Sequence, residues 1–209
     1  MPLLNQFVKK GDDQNITNYR SISLLTSFSK VIEKLIYARL LDHTTTNSIL
    51  VNEQYGFRTW YSTEQASFLL MNNILTAMNN NLKMRGIFCN LQKALDCVNH
   101  KILLDKLEFY GIEGKFKTLN ESYLTCRYQK IILNNNTNTS SSSKWELIKN
   151  SLPEGSILGP LFYLLCINDL PKINTKNKSM VLFADDTSQL ITDSKDLILI
   201  LILISLSTT

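Results

Sequence analysis

The sequence predicts an α+β fold, and three features of the 209-residue chain support that class. The first third contains apolar residues spaced three and four apart, which is the pattern of amphipathic helices. Residues 85–91 form a short and almost wholly apolar run, which is typical of a buried strand. Near the C-terminal end, two further apolar runs flank the pair Asp185-Asp186, which indicates two strands joined by a turn.

The composition is that of an ordinary globular protein with a mildly basic charge. Hydrophobic residues make up 44% of the chain and charged residues 19%, and the net charge is +4. This charge is compatible with a polyanionic partner without being diagnostic of one. The four cysteines form no closely spaced pair, which argues against a zinc site or a disulfide framework and favours reduced thiols. Residues 1–10 lack the apolar stretch of a signal peptide, so we expect an intracellular protein, with nucleus or cytoplasm left open.

Two helices are expected in the first 82 residues, after a polar and irregular segment at 1–24. The first spans about 29–42, with its charged residues, Glu33 among them, mostly outside the apolar stripe. That stripe is made of Val31, Ile32, Leu35, Ile36 and Leu40. The second helix begins after Ser62, which has capping-box spacing with Gln65, and runs to about Leu82.

Further elements follow the strand at 85–91. Helices are expected at about 99–109 and 115–125, and Gly111 ends the first of them. This part of the chain therefore alternates between strand and helix.

Two more strands are expected at 127–133 and 144–149. The linker between them, residues 134–143, contains only Asn, Thr and Ser, which is typical of a mobile hairpin loop. A helix that is apolar nearly all round opens at about Gly155 and ends before Pro171, and such a helix belongs in the core.

The tail from Leu197 to Leu206 is made of Leu and Ile followed by Ser-Leu. At about ten residues it is shorter than the roughly 20 that a membrane-spanning helix needs. We expect a strand at best, an aggregation-prone segment at worst, and no membrane partner.

The pair Asp185-Asp186 is the most informative local feature. Adjacent carboxylates repel, and each raises the pKa of the other unless a cation neutralises them. At a tight turn both carboxylates can reach one site, which suits a divalent cation held by oxygen ligands. The alternative is an ordinary turn with two solvated acids, and the fragment alone leaves both interpretations open.

Six blocks of sequence carry a resemblance to a known family. They are residues 18–25, 54–58, 90–100, 153–160, 167–171 and 183–186. In order and spacing, from about residue 5 to about residue 193, the chain resembles the reverse transcriptase domain of non-LTR, LINE-type retrotransposons, especially the jockey-like group.

The resemblance implies a right-hand polymerase in which an antiparallel palm sheet is backed by helices. Residues 1–80 would be a fingers-like region, and residues 81–195 the palm, with a fingers-associated hairpin near 127–149. The apolar tail at 196–209 would lie outside the family pattern. The family's thumb would begin at this tail, and its endonuclease lies upstream, so we expect both to be missing.

The resemblance also implies a reaction. Such domains join a deoxynucleoside triphosphate to the 3′ hydroxyl of a DNA primer while copying an RNA template, with two Mg²⁺ ions, or Mn²⁺ as the alternative, assisting in-line phosphoryl transfer. Three aspartates hold the metal ions. Two of them correspond to Asp185 and Asp186, and the third corresponds to a position occupied here by Asn90. An amide supplies no charge to hold Mg²⁺, and Asp96 does not obviously replace it.

Other family positions have changed as well. Leu95 replaces a bulky aromatic residue that stacks under the incoming sugar. Glu154 replaces a neutral glutamine next to Gly155, in a block close to the incoming triphosphate, which a negative charge repels. Trp60 replaces a glycine and would be strained if its φ is positive.

Basic residues of the fingers-like region are the remaining candidates. Arg20 and Arg58 lie in blocks where the family contacts nucleotide and template phosphates, and solvated surface charge is the alternative for both. For Lys9 and Lys10 we favour ordinary surface charge.

Two functions follow. The first is an RNA-directed DNA polymerase domain that is truncated and catalytically impaired, since Asn90, Leu95 and Glu154 alter three parts of one active site. The alternative is an inactive retrotransposon-derived fragment that retains only nucleic-acid binding. The sequence leaves the oligomeric state open.

Overall fold

The computed structural model describes residues 3–8, 19–91, 94–125, 127–134, 140–173, 178–193 and 201–206. The chain divides into two compact units, and neither is continuous in sequence. The first contains Met1–His43 and Leu95–Tyr163, and the second contains Thr44–Ala94 and Leu164–Thr209. The expected functional division into 1–80, 81–195 and 196–209 stays a prediction.

The elements confirm the α+β class. The helices are α1 (Ser27–Thr46), α2 (Thr63–Asn79), α3 (His100–Phe109), α4 (Gly114–Leu124) and α5 (Leu158–Ile167). The strands are β1 (Leu3–Val8), β2 (Tyr19–Leu24), β3 (Lys83–Leu91), β4 (Tyr128–Asn134), β5 (Ser140–Ser142), β6 (Glu146–Leu147), β7 (Lys178–Phe183), β8 (Asp186–Asp193) and β9 (Leu201–Leu206). Among the residues described, no helix is long and apolar enough to cross a membrane.

Helix α1 buries a different face from the one that the sequence predicts. Val31 and Leu35 of the predicted apolar stripe are exposed, whereas Ile36 and Leu40 are buried. Glu33, expected outside the stripe, is 1% exposed. Glu33, Ile36 and Leu40 lie on one side of the helix because they are three, four and seven residues apart.

Helix α5 begins later than expected because of its capping. The Ser156 hydroxyl accepts a hydrogen bond from the Gly159 N–H at 3.0 Å, which satisfies one of the unpaired donors of the first turn. Pro160 fits this turn because its missing N–H would have no helical partner there. The predicted burial of α5 is confirmed, with Leu158, Phe162 and Leu165 fully buried.

The first unit contains a sheet in the order β2-β1-β4-β5, and β6 also pairs with β4. β1 pairs with β2 antiparallel and with β4 parallel. The expectation that residues 1–24 are irregular is therefore wrong for β1 and β2. The expected loop at 134–143 is also wrong in part, since Ser140–Ser142 pairs with β4, while residues 135–139 lie outside the described residues.

The second unit contains a four-stranded sheet in the order β7-β8-β3-β9. The β7-β8 pair is antiparallel, as predicted for the acidic hairpin, and the β8-β3 pair is antiparallel as well, which agrees with the antiparallel sheet that the resemblance implies. β9 adds to β3 in parallel, which confirms a strand in the apolar tail. Ala77 of α2 packs with Met84 and Leu190 in a small core on this sheet.

Candidate functional site

The acidic pair lies at the tight turn of the β7-β8 hairpin. β7 ends at Phe183 and β8 begins at Asp186, so that Ala184 and Asp185 form the turn. Ala184 has a φ of 54°, a left-handed conformation that is uncommon for any residue with a Cβ. The turn therefore brings both carboxylates to the same end of the hairpin, with Asp185 partly buried and Asp186 exposed.

Asn90 lies directly beside this pair. In the antiparallel ladder between β3 and β8, Asn90 is opposite Asp186. Directly opposite residues point to the same face of a sheet, with Cβ atoms about 4.5–5.5 Å apart. The Leu91 N–H also donates to the Asp185 carbonyl at 3.4 Å, which extends the pairing into the turn. The position expected to carry a third carboxylate is thus a direct neighbour of the acidic pair, and it carries a neutral amide.

One carboxyl group of the turn has a shifted pKa. Partial desolvation, and then the neighbouring Asp185 carboxylate, raises the pKa of Asp186 above its ordinary value. A bound cation would oppose this shift, because it favours the ionised form of the Asp186 carboxyl group.

The residues present fit a divalent cation in part. Asp185 and Asp186 supply the hard, charged oxygen ligands that Mg²⁺ and Mn²⁺ prefer. Within the described ranges, no group of three or more His, Cys, Asp or Glu side chains is arranged to hold a metal ion. The turn therefore offers two carboxylates and, at Asn90, one neutral oxygen.

The segment before α2 runs alongside the acidic hairpin. The Tyr55 N–H donates to the Leu182 carbonyl at 2.8 Å, and the Leu182 N–H donates to the Glu53 carbonyl at 2.8 Å. These bonds form a short parallel bridge between Gln54 and β7. The block at 54–58 indicates the family and predicts a role for Arg58, but its sequence predicts no role for Gln54.

The guanidinium of Arg58 already makes contacts within the protein. Its Nη1 donates to the carbonyls of Val51 at 2.6 Å and Gln54 at 3.1 Å, and its guanidinium lies 4.2 Å from the centroid of the Tyr61 ring. Contact with a phosphate stays a prediction. Arg20 lies in β2 opposite Phe7, but its side chain is outside the described part of the structure. Lys9 and Lys10 lie outside the described residues altogether.

Trp60 has the strained backbone expected of a tryptophan at a glycine position. Its φ is 71°, in the left-handed region that favours glycine. Its side chain is 91% exposed, so that the described residues provide little packing to offset the strain.

In the first unit, the remaining candidates lie around the loop that precedes α5. The Leu152 N–H donates to the Leu95 carbonyl at 2.8 Å, and the Ser151 hydroxyl donates to Asp96 at 3.2 Å. Leu95 is therefore held next to the loop that carries Glu154 and Gly155. Gly155 has a φ of 92°, which explains a glycine at that position. Asp96 anchors this loop through a contact that the sequence does not predict.

The far end of the same loop is held by Glu33. One carboxylate oxygen of Glu33 accepts the Ile157 N–H at 2.7 Å, and the other accepts the Tyr123 hydroxyl at 2.7 Å. Burial, followed by the hydrogen bond to Glu33, raises the pKa of Tyr123, so that the phenol stays protonated as a donor. The guanidinium of Arg127 lies 5.9 Å from the centroid of the Tyr123 ring.

Solved structures of telomerase are similar to this chain at the level of fold. Apo telomerase from Candida tropicalis, truncated from its C-terminal domain, superposes with a TM-score of 0.55 at 10% identity, covering 85% of this chain and 42% of that one. Telomerase from Candida albicans, in a complex with a fragment of telomeric RNA, gives 0.54 at 10% identity, covering 93% and 39%.

The chain belongs to the reverse transcriptase (RNA-dependent DNA polymerase) family, whose model matches residues 8–207. This match includes most of the apolar tail, which the motifs alone had placed outside the family pattern.

Curated relatives confirm the resemblance to non-LTR retrotransposons. The probable RNA-directed DNA polymerase from transposon BS of Drosophila melanogaster is 32% identical over 190 residues, covering 85% of this chain and 20% of that protein. The RNA-directed DNA polymerase from mobile element jockey of the same species is 29% identical over 190 residues, covering 88% and 20%. The chain thus spans about a fifth of the length of these relatives.

Proposed function

We propose that the β7-β8-β3 sheet is the palm of an RNA-directed DNA polymerase domain, and that this chain is catalytically impaired. In this proposal Asp185 and Asp186 hold a divalent cation, Mg²⁺ or Mn²⁺, which would stabilise charge on the oxygens of a transferring phosphoryl group. The substrates would be deoxynucleoside triphosphates, with an RNA template and a DNA primer. The observation that carries the proposal is the pairing of Asn90 with Asp186 beside the acidic turn.

The impairment follows from charge. A carboxylate about 4 Å from a cation contributes between about 1 kcal/mol in water and about 4 kcal/mol at an effective dielectric constant of 20. Because Asn90 is exposed, the loss lies towards the lower end of this range, about tenfold or more in affinity or rate. The uncharged amide of Asn90 does not supply this attraction.

Two proposed nucleotide-binding residues of the first unit also indicate impaired catalysis. Leu95 lacks the flat face of an aromatic residue on which a sugar can stack. Glu154 would place a negative charge next to Gly155, where the family presents a neutral amide to the triphosphate. We therefore expect that Asn90→Asp alone does not restore normal activity.

Primer extension on poly(rA)/oligo(dT) with Mg²⁺ or Mn²⁺ tests the proposal. We expect no template-dependent incorporation above the background of the Asp185→Ala variant. Incorporation by the unaltered chain that Asp185→Ala abolishes would show that the impairment is wrong and that two carboxylates suffice.

The second candidate function is nucleic-acid binding without catalysis, which the neutral residue at position 90 favours. Arg20 and Arg58 are the proposed phosphate contacts. Their contribution would appear as a linear fall of log K with log[salt]. A flat plot would argue against both contacts.

A further inference from the structure

We infer that Gln54 and Gly56 act together as a clasp that sets the geometry of the acidic turn, which makes them positioning residues for Asp185 and Asp186. This inference rests on the proposed function of the turn as a cation site. All of the residues involved belong to the second unit.

The first part of the clasp is the Gln54 side chain. It is 2% exposed, and its Oε1 accepts the N–H of Gly56 at 2.8 Å and the N–H of Ala184 at 3.2 Å. One amide oxygen thus joins two segments that are 130 residues apart in sequence. Ala184 begins the acidic turn in a left-handed conformation, so this hydrogen bond holds the turn at its strained residue.

The second part is the absence of a side chain at position 56. A Cβ built on Gly56 would lie 2.0 Å from the Ala184 nitrogen and 2.7 Å from its Cα. Both are backbone atoms, so that relief would require the turn or the 53–56 segment to move. Gly56 does not have a positive φ, and close approach to the turn is therefore the reason for this glycine.

The third part is the backbone bridge on either side of the clasp. The bonds of Tyr55 and Glu53 to Leu182 fix the segment against β7, two residues before Ala184. The bridge sets the position of the segment, and Gln54 and Gly56 transmit that position to the turn. A purely structural role for these residues would stabilise β7 without affecting how Asp185 and Asp186 bind a cation.

Two substitutions separate these roles, and each has a matched control. Gly56→Ala forces the turn to shift, whereas Gly86→Ala adds a Cβ to β3 of the same sheet that meets the end of the Phe88 ring at 2.9 Å, a side chain that can move. Gln54→Leu removes the acceptor, whereas Gln54→Glu keeps both acceptor contacts but adds a buried charge beside the acidic turn, so it is a control for amide exchange and not for Mn²⁺ binding.

The readouts are backbone amide NMR of the turn and titration with Mn²⁺ alone. We expect Gly56→Ala to move the amide resonances of Ala184 to Asp186 and to weaken Mn²⁺ binding by about tenfold or more, with less than about a twofold change for Gly86→Ala. We expect Gln54→Leu to speed hydrogen exchange of the Ala184 amide by about tenfold, and Gln54→Glu to leave it nearly unchanged.

Each outcome supports or overturns the positioning role of Gln54 and Gly56. Unchanged turn resonances in Gly56→Ala, or an unchanged Ala184 exchange rate in Gln54→Leu, would overturn it. If Gly56→Ala does not fold, the two Gln54 variants decide. If the unaltered chain does not bind Mn²⁺, the proposed cation site fails, while the amide measurements still support or overturn the clasp.

Discussion

Removal of the buried Glu33 carboxylate should strongly destabilise the first unit. Glu33→Ala leaves the Tyr123 hydroxyl and the Ile157 N–H without their acceptor, both in contacts of 2.7 Å. Each buried group left unpaired costs roughly 1–3 kcal/mol. The same change removes a negative charge that acts on Arg127, whose pKa is lowered by burial against the opposing influence of Tyr123 and Glu33. The two groups together cost about 2–6 kcal/mol. This range includes the roughly 3–5 kcal/mol that is usual when one partner is removed from a buried ion pair.

Graded variants test this reasoning in urea unfolding at neutral pH. Glu33→Gln keeps the shape and one acceptor oxygen, so we expect a loss of about 1–2 kcal/mol in the free energy of unfolding. Tyr123→Phe removes a single donor, and we expect about 1 kcal/mol. The matched control is Glu108→Ala, which breaks an exposed ion pair with Lys117 that also spans 2.7 Å, and we expect a much smaller loss than for Glu33→Ala because solvent screens this pair.

A double-mutant cycle gives the decisive comparison. Because Glu33 and Tyr123 share a hydrogen bond, the double variant should lose less than the sum of the single losses, by roughly 0.5–3 kcal/mol. Two results would refute the reasoning. One is a Glu33→Ala loss no larger than that of Glu108→Ala, and the other is strict additivity of the Glu33 and Tyr123 substitutions.

Two further predictions concern the second unit. Asn90→Asp should raise Mn²⁺ affinity by about tenfold or more in calorimetric titration, while like-charge repulsion from Asp186 costs about 1 kcal/mol of stability without metal at an exposed separation of about 5 Å. Asn90→Ser, which removes the amide without adding charge, should show neither effect, and equal affinities of the two variants would contradict the prediction. Trp60→Gly should raise the free energy of unfolding by about 1 kcal/mol through relief of the positive φ, whereas Trp60→Ala keeps the strain and should not. A gain in the alanine variant equal to that in the glycine variant would show that the exposed indole, and not the backbone, is responsible.

Much of the helical structure is predictable from sequence because helix periodicity and capping are local. The predicted capping box at Ser62 and Gln65 forms in both directions, with Ser62 Oγ accepting the Gln65 N–H and Gln65 accepting the Ser62 N–H. Which face of α1 is buried cannot be predicted from the local sequence. An apolar stripe shows which face can be buried, but the partners of Glu33 lie on α4 and before α5, distant in sequence.

The unpredicted strands share a physical cause. Ladder hydrogen bonds are made by the backbone, so that a polar segment can pair whenever another strand presents its edge. Ser140–Ser142 has no apolar alternation and still pairs with β4. The interpretation of residues 134–143 as a loop relied on composition, and composition does not report on an available partner strand.

The residues of the candidate site that belong to sequence motifs could be predicted. The residues that hold the site through tertiary contacts could not. Asp185, Asp186 and position 90 follow from the family blocks, and the strand register places them together. The contacts of Gln54 with Ala184 and of Asp96 with Ser151 join segments 130 and 55 residues apart. Nothing in the local sequence of either residue distinguishes an anchoring role from an ordinary polar side chain.

The substitutions that impair the proposed chemistry occupy positions on which the fold depends little. Asn90 is exposed, and Leu95 and Glu154 are only partly buried. The polar side chains that hold the surrounding backbone, Gln54 and Glu33, are almost wholly buried, and their replacement would leave unpaired groups in the interior. Stability therefore opposes changes to the framework more strongly than changes to its exposed ligand positions. The hairpin, its turn and the pairing of Asn90 with Asp186 therefore persist with a neutral residue at position 90, where the proposed function would place a third carboxylate.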